Sequence, residues 1–147
     1  MKSIQCSLEG RWSKSVRAPE PSIAVRDGLC WPIAEGYIPE FSHGPEPEMT
    51  SHEAACLLNT SDRDANVQIT TYFSDRESVG PYRITVPANR TKHLRFNDLK
   101  DPAPIPRGID YASVIESDVP IVVQHTRLDS RQSANALITT IAYAQAD

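Results

Sequence analysis

The stretch "ANVQITTYFSDRESVGPYRITVPANRTKHLRF", residues 65–96, alternates between apolar and polar positions and is broken by turn residues. Side chains two apart in a strand share a face. Val67, Ile69, Thr71 and Phe73 therefore fall on one side, with Gln68, Thr70 and Tyr72 on the other. "DRESVGP" turns the chain, and "YRITV" points Tyr82, Ile84 and Val86 inward. Pro87 and Asn89 form the next turn. "TKHLRF" then sends Leu94 and Phe96 to a core, and His93 and Arg95 to a pocket, a neighbouring subunit or solvent.

The same texture extends both ways. "HEAACLLN" (52–59) is a strand joined through "SDRD", a turn of hairpin length. "CWPIAEGY" (30–37) is another, and Pro32 puts it near an edge or a bulge. The prolines of "IPEFSHGPEPEMTSH" and of "NDLKDPAPIPRGID" make both segments loops. "YASVIES" and "PIVVQHTRL" are strands, the second reading as a central one. "ALITTIAYA" closes the pattern, its Thr139, Thr140 and Ile141 favouring strand over helix. About eight short strands without βαβ alternation imply an all-β fold, an antiparallel β-sandwich. Residues 1–28 lack periodicity and read as a loosely ordered N-terminal extension, with the domain spanning 29–147.

The chain has 147 residues, enough for one domain with its own core. No apolar run approaches the about 20 residues of a membrane helix, and no secretory h-region follows Met1 and Lys2. Cys6, Cys30 and Cys56 are odd in number and lack CxxC spacing. They read as reduced thiols in a cytoplasmic protein, with Cys56 as a small core residue. The net charge is −4. Residues 1–28 carry five Lys/Arg against three acids, so the domain itself is the acidic part and repels phosphate backbones unless a local patch intervenes.

No catalytic or metal constellation stands out. His43, His52, His93 and His125 form no HxH or HxxxH pair, so no metal is expected. There is no GxSxG elbow and no Gly-rich phosphate loop, so no enzyme and no cofactor are expected. Glu35, Glu53 and Asp62 could supply paired acids, but spacing alone does not bring two carboxylates together. "SDRDAN" reads as a turn whose Asp side chains bond their own backbone. The sequons at Asn59 and Asn89 are chance matches. "RTKHLR" is the local basic cluster of the domain, expected to be a solvated strand face paired with acids on the next strand. Glu53, Gln124, His125 and Arg127 are candidates for an exposed face that binds a sugar or a protein, with Trp31, Tyr37 or Tyr72 as aromatic platform.

At "WPIAEGYIP", at the run from "SHGPEPEMTSHEAACLLN" to "FNDLKDP", and at "YASVIESDVPIVVQHTRLDSRQSANALITTIAY", the chain resembles the Anabaena sensory rhodopsin transducer family over residues 29–144. The resemblance implies a small cytoplasmic β-sandwich that forms a homotetramer and associates with the cytoplasmic side of a microbial sensory rhodopsin. It implies a non-enzymatic signal carrier. For the wider family it implies a carbohydrate or small polar ligand role in metabolic regulation and, more remotely, a DNA-associated regulatory one. It carries no catalytic residues over. The motif-like polar positions are Glu35, Tyr37, His52, Glu53, Asn59, Asp62, Arg90, His93, Arg95, Asn97, Gln124, His125 and Arg127. All but Asn59 and Asp62 are the expected ligand- or partner-binding set.

Overall fold

The computed structural model describes residues 29–134 and 136–144. The expected N-terminal extension, 1–28, lies outside them. Among the described residues eight strands form: β1 (Leu29–Tyr37), β2 (His52–Asn59), β3 (Ala65–Tyr72), β4 (Val79–Val86), β5 (Arg90–Arg95), β6 (Asp110–Ser117), β7 (Val122–Asp129) and β8 (Ala136–Ile141). They make two antiparallel four-stranded sheets, in the orders β1-β6-β3-β4 and β5-β2-β7-β8. The eight-strand antiparallel sandwich read from the sequence is the fold observed. Among the described residues no helix is long and apolar enough to cross a membrane.

Alternation builds the core. Val67, Ile69 and Thr71 of β3 and Tyr82, Ile84 and Val86 of β4 are buried, as their period of two requires. Ala55 and Leu57 of β2 and Val123 of β7 meet them from the second sheet, with Trp31, Ile38, Phe96 and Ile115 filling the interior. Asn89 turns β4 into β5 at φ 54°, a conformation asparagine tolerates better than most side chains. Leu94 packs against the core, but Phe96 does so from a 3-10 turn, Phe96–Asp98, that ends the strand early.

Several local expectations are corrected. Trp31 is buried in the core, so it offers no platform to a ligand. Cys56 is a free, half-buried thiol on the outer face of its sheet, 3.6 Å from His93 Nδ1, while Cys30 is disulfide-bonded. Val122, at the start of central β7, is exposed because it lies on that outer face. Asp64 accepts a bond from the Ala88 amide of the neighbouring turn, not from its own backbone. The local work at that turn belongs to Asn59. Its amide donates to the carbonyls of Arg63, Val86 and Pro87, and its Oδ1 accepts from Ser61. That sequon is a structural clamp.

Sheet order decides where chemistry can gather. β1 ends one sheet and β8 ends the other, on the same rim of the sandwich. β4 and β5 meet along the opposite rim.

Candidate functional site

Glu53 is the point from which the site is built. It follows His52 in β2 and shares a face with Ala55 and Leu57, so its carboxylate enters the interior, where it is fully buried. Pairing sets Glu53 against Arg127 and Ala55 against His125, so β7 delivers a guanidinium and an imidazole to the same side. A buried carboxylate is costly unless fully hydrogen-bonded. Here Oε1 accepts from the Tyr37 amide at 2.8 Å and Arg127 Nε at 2.5 Å. Oε2 faces His125 Nε2 at 2.5 Å. Burial by itself would push this carboxyl up. The bonds from His125, the Tyr37 amide and Arg127, with the charge at His125, outweigh burial and hold it below the usual range.

β1 supplies the second carboxylate. Its pairing with β6 shifts between Ile33 and Gly36, where three steps of β1 oppose two of β6. The extra residue is a bulge, and bulges re-aim side chains. Glu35, inside it, reaches Arg127 Nη1 at 2.6 Å, while its own side chain remains 79% exposed. Burial disfavours the Arg127 charge, but the bonds from Glu35 and Glu53 win and keep it firmly protonated. Gly36, beside the bulge, leaves room for Tyr111. A Cβ there would lie 2.5 Å from the tyrosine ring. The Tyr111 hydroxyl is buried without a hydrogen-bond partner, and burial with the nearby Glu53 charge pushes its pKa up. Arg127 Nη2 is likewise buried and unpartnered.

This network floors a cleft of about 310 Å³ on the open rim between β1 and β8. Ile33 and Ala34 line one wall; Ile138, Ile141 and Tyr143 line the other. His125, Arg127 and Glu35 form its polar part.

The predicted residues divide into two groups. Glu35, Glu53, His125 and Arg127 come together, joined by the Tyr37 amide and by Asn97, whose Oδ1 accepts from the Glu53 amide at 3.4 Å. The expectation that Glu53 and His125 lie on an exposed face is wrong: strand alternation turns both inward. The rest stand apart. His52 bonds the Thr50 carbonyl, and Arg95 reaches the carbonyls of Pro47 and Thr50, fastening the loop before β2. Gln124 bonds Thr139 on the outer face. His93 is exposed, and Arg90 bonds the carbonyl of its neighbour Asn89. The cluster on β5 has no acid among its register partners, which run from Ala54 to Asn59, so the expected cross-strand pairing does not occur. Tyr37 is half-buried, with Arg131 stacked 5.7 Å above its ring. Tyr72 is half-buried away from the cleft. Sequence reasoning missed Tyr111 and Tyr143. The inward parity of "YASVIES" could have found the first; the second follows β8 and carries no periodic signal. No group of three or more metal-ligating side chains occurs among the described residues.

Residues 28–144 match the model of a family described as Anabaena sensory rhodopsin transducer. Among solved structures, one titled "Anabaena sensory rhodopsin transducer" is 66% identical, covering 67% of this chain and 95% of that one, with a TM-score of 0.60. A crystal structure titled "Thermotoga maritima 1070" is 35% identical, covering 78% of this chain and 91% of that one, with a TM-score of 0.69. No curated protein matches the chain.

Proposed function

The chain belongs to the Anabaena sensory rhodopsin transducer family, and on that premise we propose that it is a non-enzymatic transducer. It docks on the cytoplasmic face of a membrane photoreceptor and relays its signal. The observation that carries this reading is the 66% identity to a protein titled as such a transducer, over 95% of that protein's length. Light would alter the receptor's cytoplasmic surface, and the transducer's affinity would change only as far as its contacts differ between the two receptor states. The exposed apolar residues Leu137, Ile138, Ile141 and Tyr143 favour assembly into a homotetramer through the β8 side. Calorimetric titration into the dark and the illuminated receptor tests the proposal. The two states are expected to give different affinities; identical heats, or none, would overturn it.

One observation favours a second reading, a ligand-binding module in metabolic regulation. The cleft between β1 and β8 joins a buried ionic floor to apolar walls, the usual make-up of a small-molecule site. A panel of sugars and small polar metabolites should contain at least one that raises the melting temperature. A panel without effect would count against it.

A further inference from the structure

The outer face of the β5-β2-β7-β8 sheet is covered at one end and bare at the other. Its outward positions alternate with the core residues Ala55, Leu57 and Val123. Beside the loop before β2 the chain supplies its own cover. Arg95 reaches the carbonyls of Pro47 and Thr50, and the His43 amide bonds the Ser130 carbonyl. Outward Ala54 and Leu128 are accordingly only 7% and 8% exposed. At the other end Leu58 and Val122 stand opposite each other on β2 and β7, 41% and 48% exposed. Ile141 of β8, one row away opposite Gln124, is exposed as well.

Two features suit the bare end to burial. No Asp or Glu holds an outward position on any of the four strands, although the chain as a whole is acidic. Arg95, the one Lys or Arg at such a position, is tied to the loop carbonyls. The polar groups also satisfy one another. Gln124 Nε2 donates to Thr139 Oγ1 at 2.9 Å, the Thr126 and Thr139 hydroxyls lie 3.0 Å apart, and Thr139 Oγ1 donates to the His125 carbonyl at 3.1 Å. Removing water from such groups costs little, because they keep their partners.

The charge pattern selects the occupant. An anionic bilayer or a nucleic acid would meet no free Lys or Arg at these outward positions, and a strongly basic partner would meet no acid. Two copies of an acidic chain repel, and they approach at least cost through faces that carry no acids. A second copy brings such a face with it. Four strands about 4.8 Å apart and five residues at about 3.4 Å give the bare end about 300 Å² in plan. A specific interface takes about 500 Å² or more from each partner, so the occupant would extend onto the adjoining β8 rim, where Leu137 and Ile138 are also exposed.

We propose that a second copy of this chain covers this sheet face, packing face-on over Leu58, Val122 and Cys56. A strand merely added to the β8 edge would leave Val122 and Leu58, one and two strands further in, in water. This rests on the assembly reading above and names the surface that carries it.

The test pairs sedimentation of the full chain over a concentration series with alkylation of Cys56, read by mass spectrometry on the peptide that holds it. Cys56 is a free, half-buried thiol at an outward position between His93 and Gln124, so the single chain should react and the assembly should react several-fold more slowly. Leu58→Lys with Val122→Lys alters two exposed side chains, so the variant should keep the parent's circular dichroism. It should lose the larger species and react at Cys56 at the rate of the single chain. An unchanged size distribution in that variant, or a thiol as reactive in the parent's assembly as in its single chain, would overturn the face-on contact and leave assembly at the β8 edge. A parent that stays a single chain at every concentration would overturn the assembly reading too and leave the face to a different partner.

Discussion

β5 and β8 are the two edges of one sheet, and they end it in opposite ways. β5 carries Arg90, Lys92, His93 and Arg95 in six residues. Arg90 and Lys92 have the parity of the core, opposite Asn59 and Leu57, and yet are exposed. Inward-pointing charge on an edge strand blocks another strand from adding to it. β8 has no Lys, Arg, Asp, Glu or Pro. All six of its residues are exposed, with Leu137 at 67%, Ile138 at 60% and Ile141 at 65%. An unguarded apolar edge is retained where something covers it. The lesson is that one rim carries charge that opposes strand addition while the other presents bare apolar surface, and the apolar rim also holds the buried ionic cluster and the cleft.

The strongest way to break this comparison is at Glu53. Glu53→Gln removes one member of a buried charge network and leaves Arg127 under-compensated. Unfolding free energy from denaturant titration should fall by about 3–5 kcal/mol. A loss below about 1 kcal/mol would mean that the cluster is no firmer than a surface ion pair.

Next is the β8 face. Leu137→Glu with Ile141→Glu should leave the fold intact, since both side chains are exposed. It should weaken self-association by roughly 1.5–3 kcal/mol for each side chain buried at the interface. Sedimentation over a concentration series would show smaller species than the parent protein. An unchanged distribution would free β8 from any role in assembly.

A smaller effect distinguishes the rims by pH. The folded Glu53 carboxyl titrates below its unfolded value of 4.5, so between the two the unfolded chain binds more protons. Its contribution is fully present above about pH 4.5 and is lost as pH falls through the folded value. The melting temperature should therefore drop on acidification below that point. The drop should be shallower in Glu53→Gln, though not abolished, because Asp75 and Asp129 are also held low by Arg76 and Arg131. Equal slopes in the two proteins would contradict the ionised state assigned to Glu53.

Much of this architecture was legible beforehand, because period-two alternation is a local property. β3 and β4 could be read in isolation, and their inward residues were named correctly. Which rim would gather chemistry was not legible, because it depends on β1 and β8, 99 residues apart from the end of one to the start of the other, ending opposite sheets on the same side. The polarity of Glu53 and His125 argued for an exposed face. The fact that decides otherwise is register: only the pairing of β2 with β7 shows that each inward polar group has the others as partners. The reach of Glu35 to Arg127 was hidden for a related reason, since it depends on a one-residue bulge that the string "IAEGY" does not announce.

The smallest expected effect tests the guarded rim directly. Lys92 is exposed and has no salt bridge among the described residues. Lys92→Ala should therefore change unfolding free energy by no more than about 0.5 kcal/mol, as surface substitutions away from special features do. If the side chain is there as a guard, its worth lies in what it prevents. Lys92→Val with Arg90→Thr should keep the fold, or even favour the strand, while raising the tendency of the β5 edge to pair with another chain. Light scattering at high protein concentration reads this. Should the double variant stay as dispersed as the parent, the charges on β5 are a solvated face and nothing more, and the contrast between the two edges would reduce to the apolar surface of β8 alone.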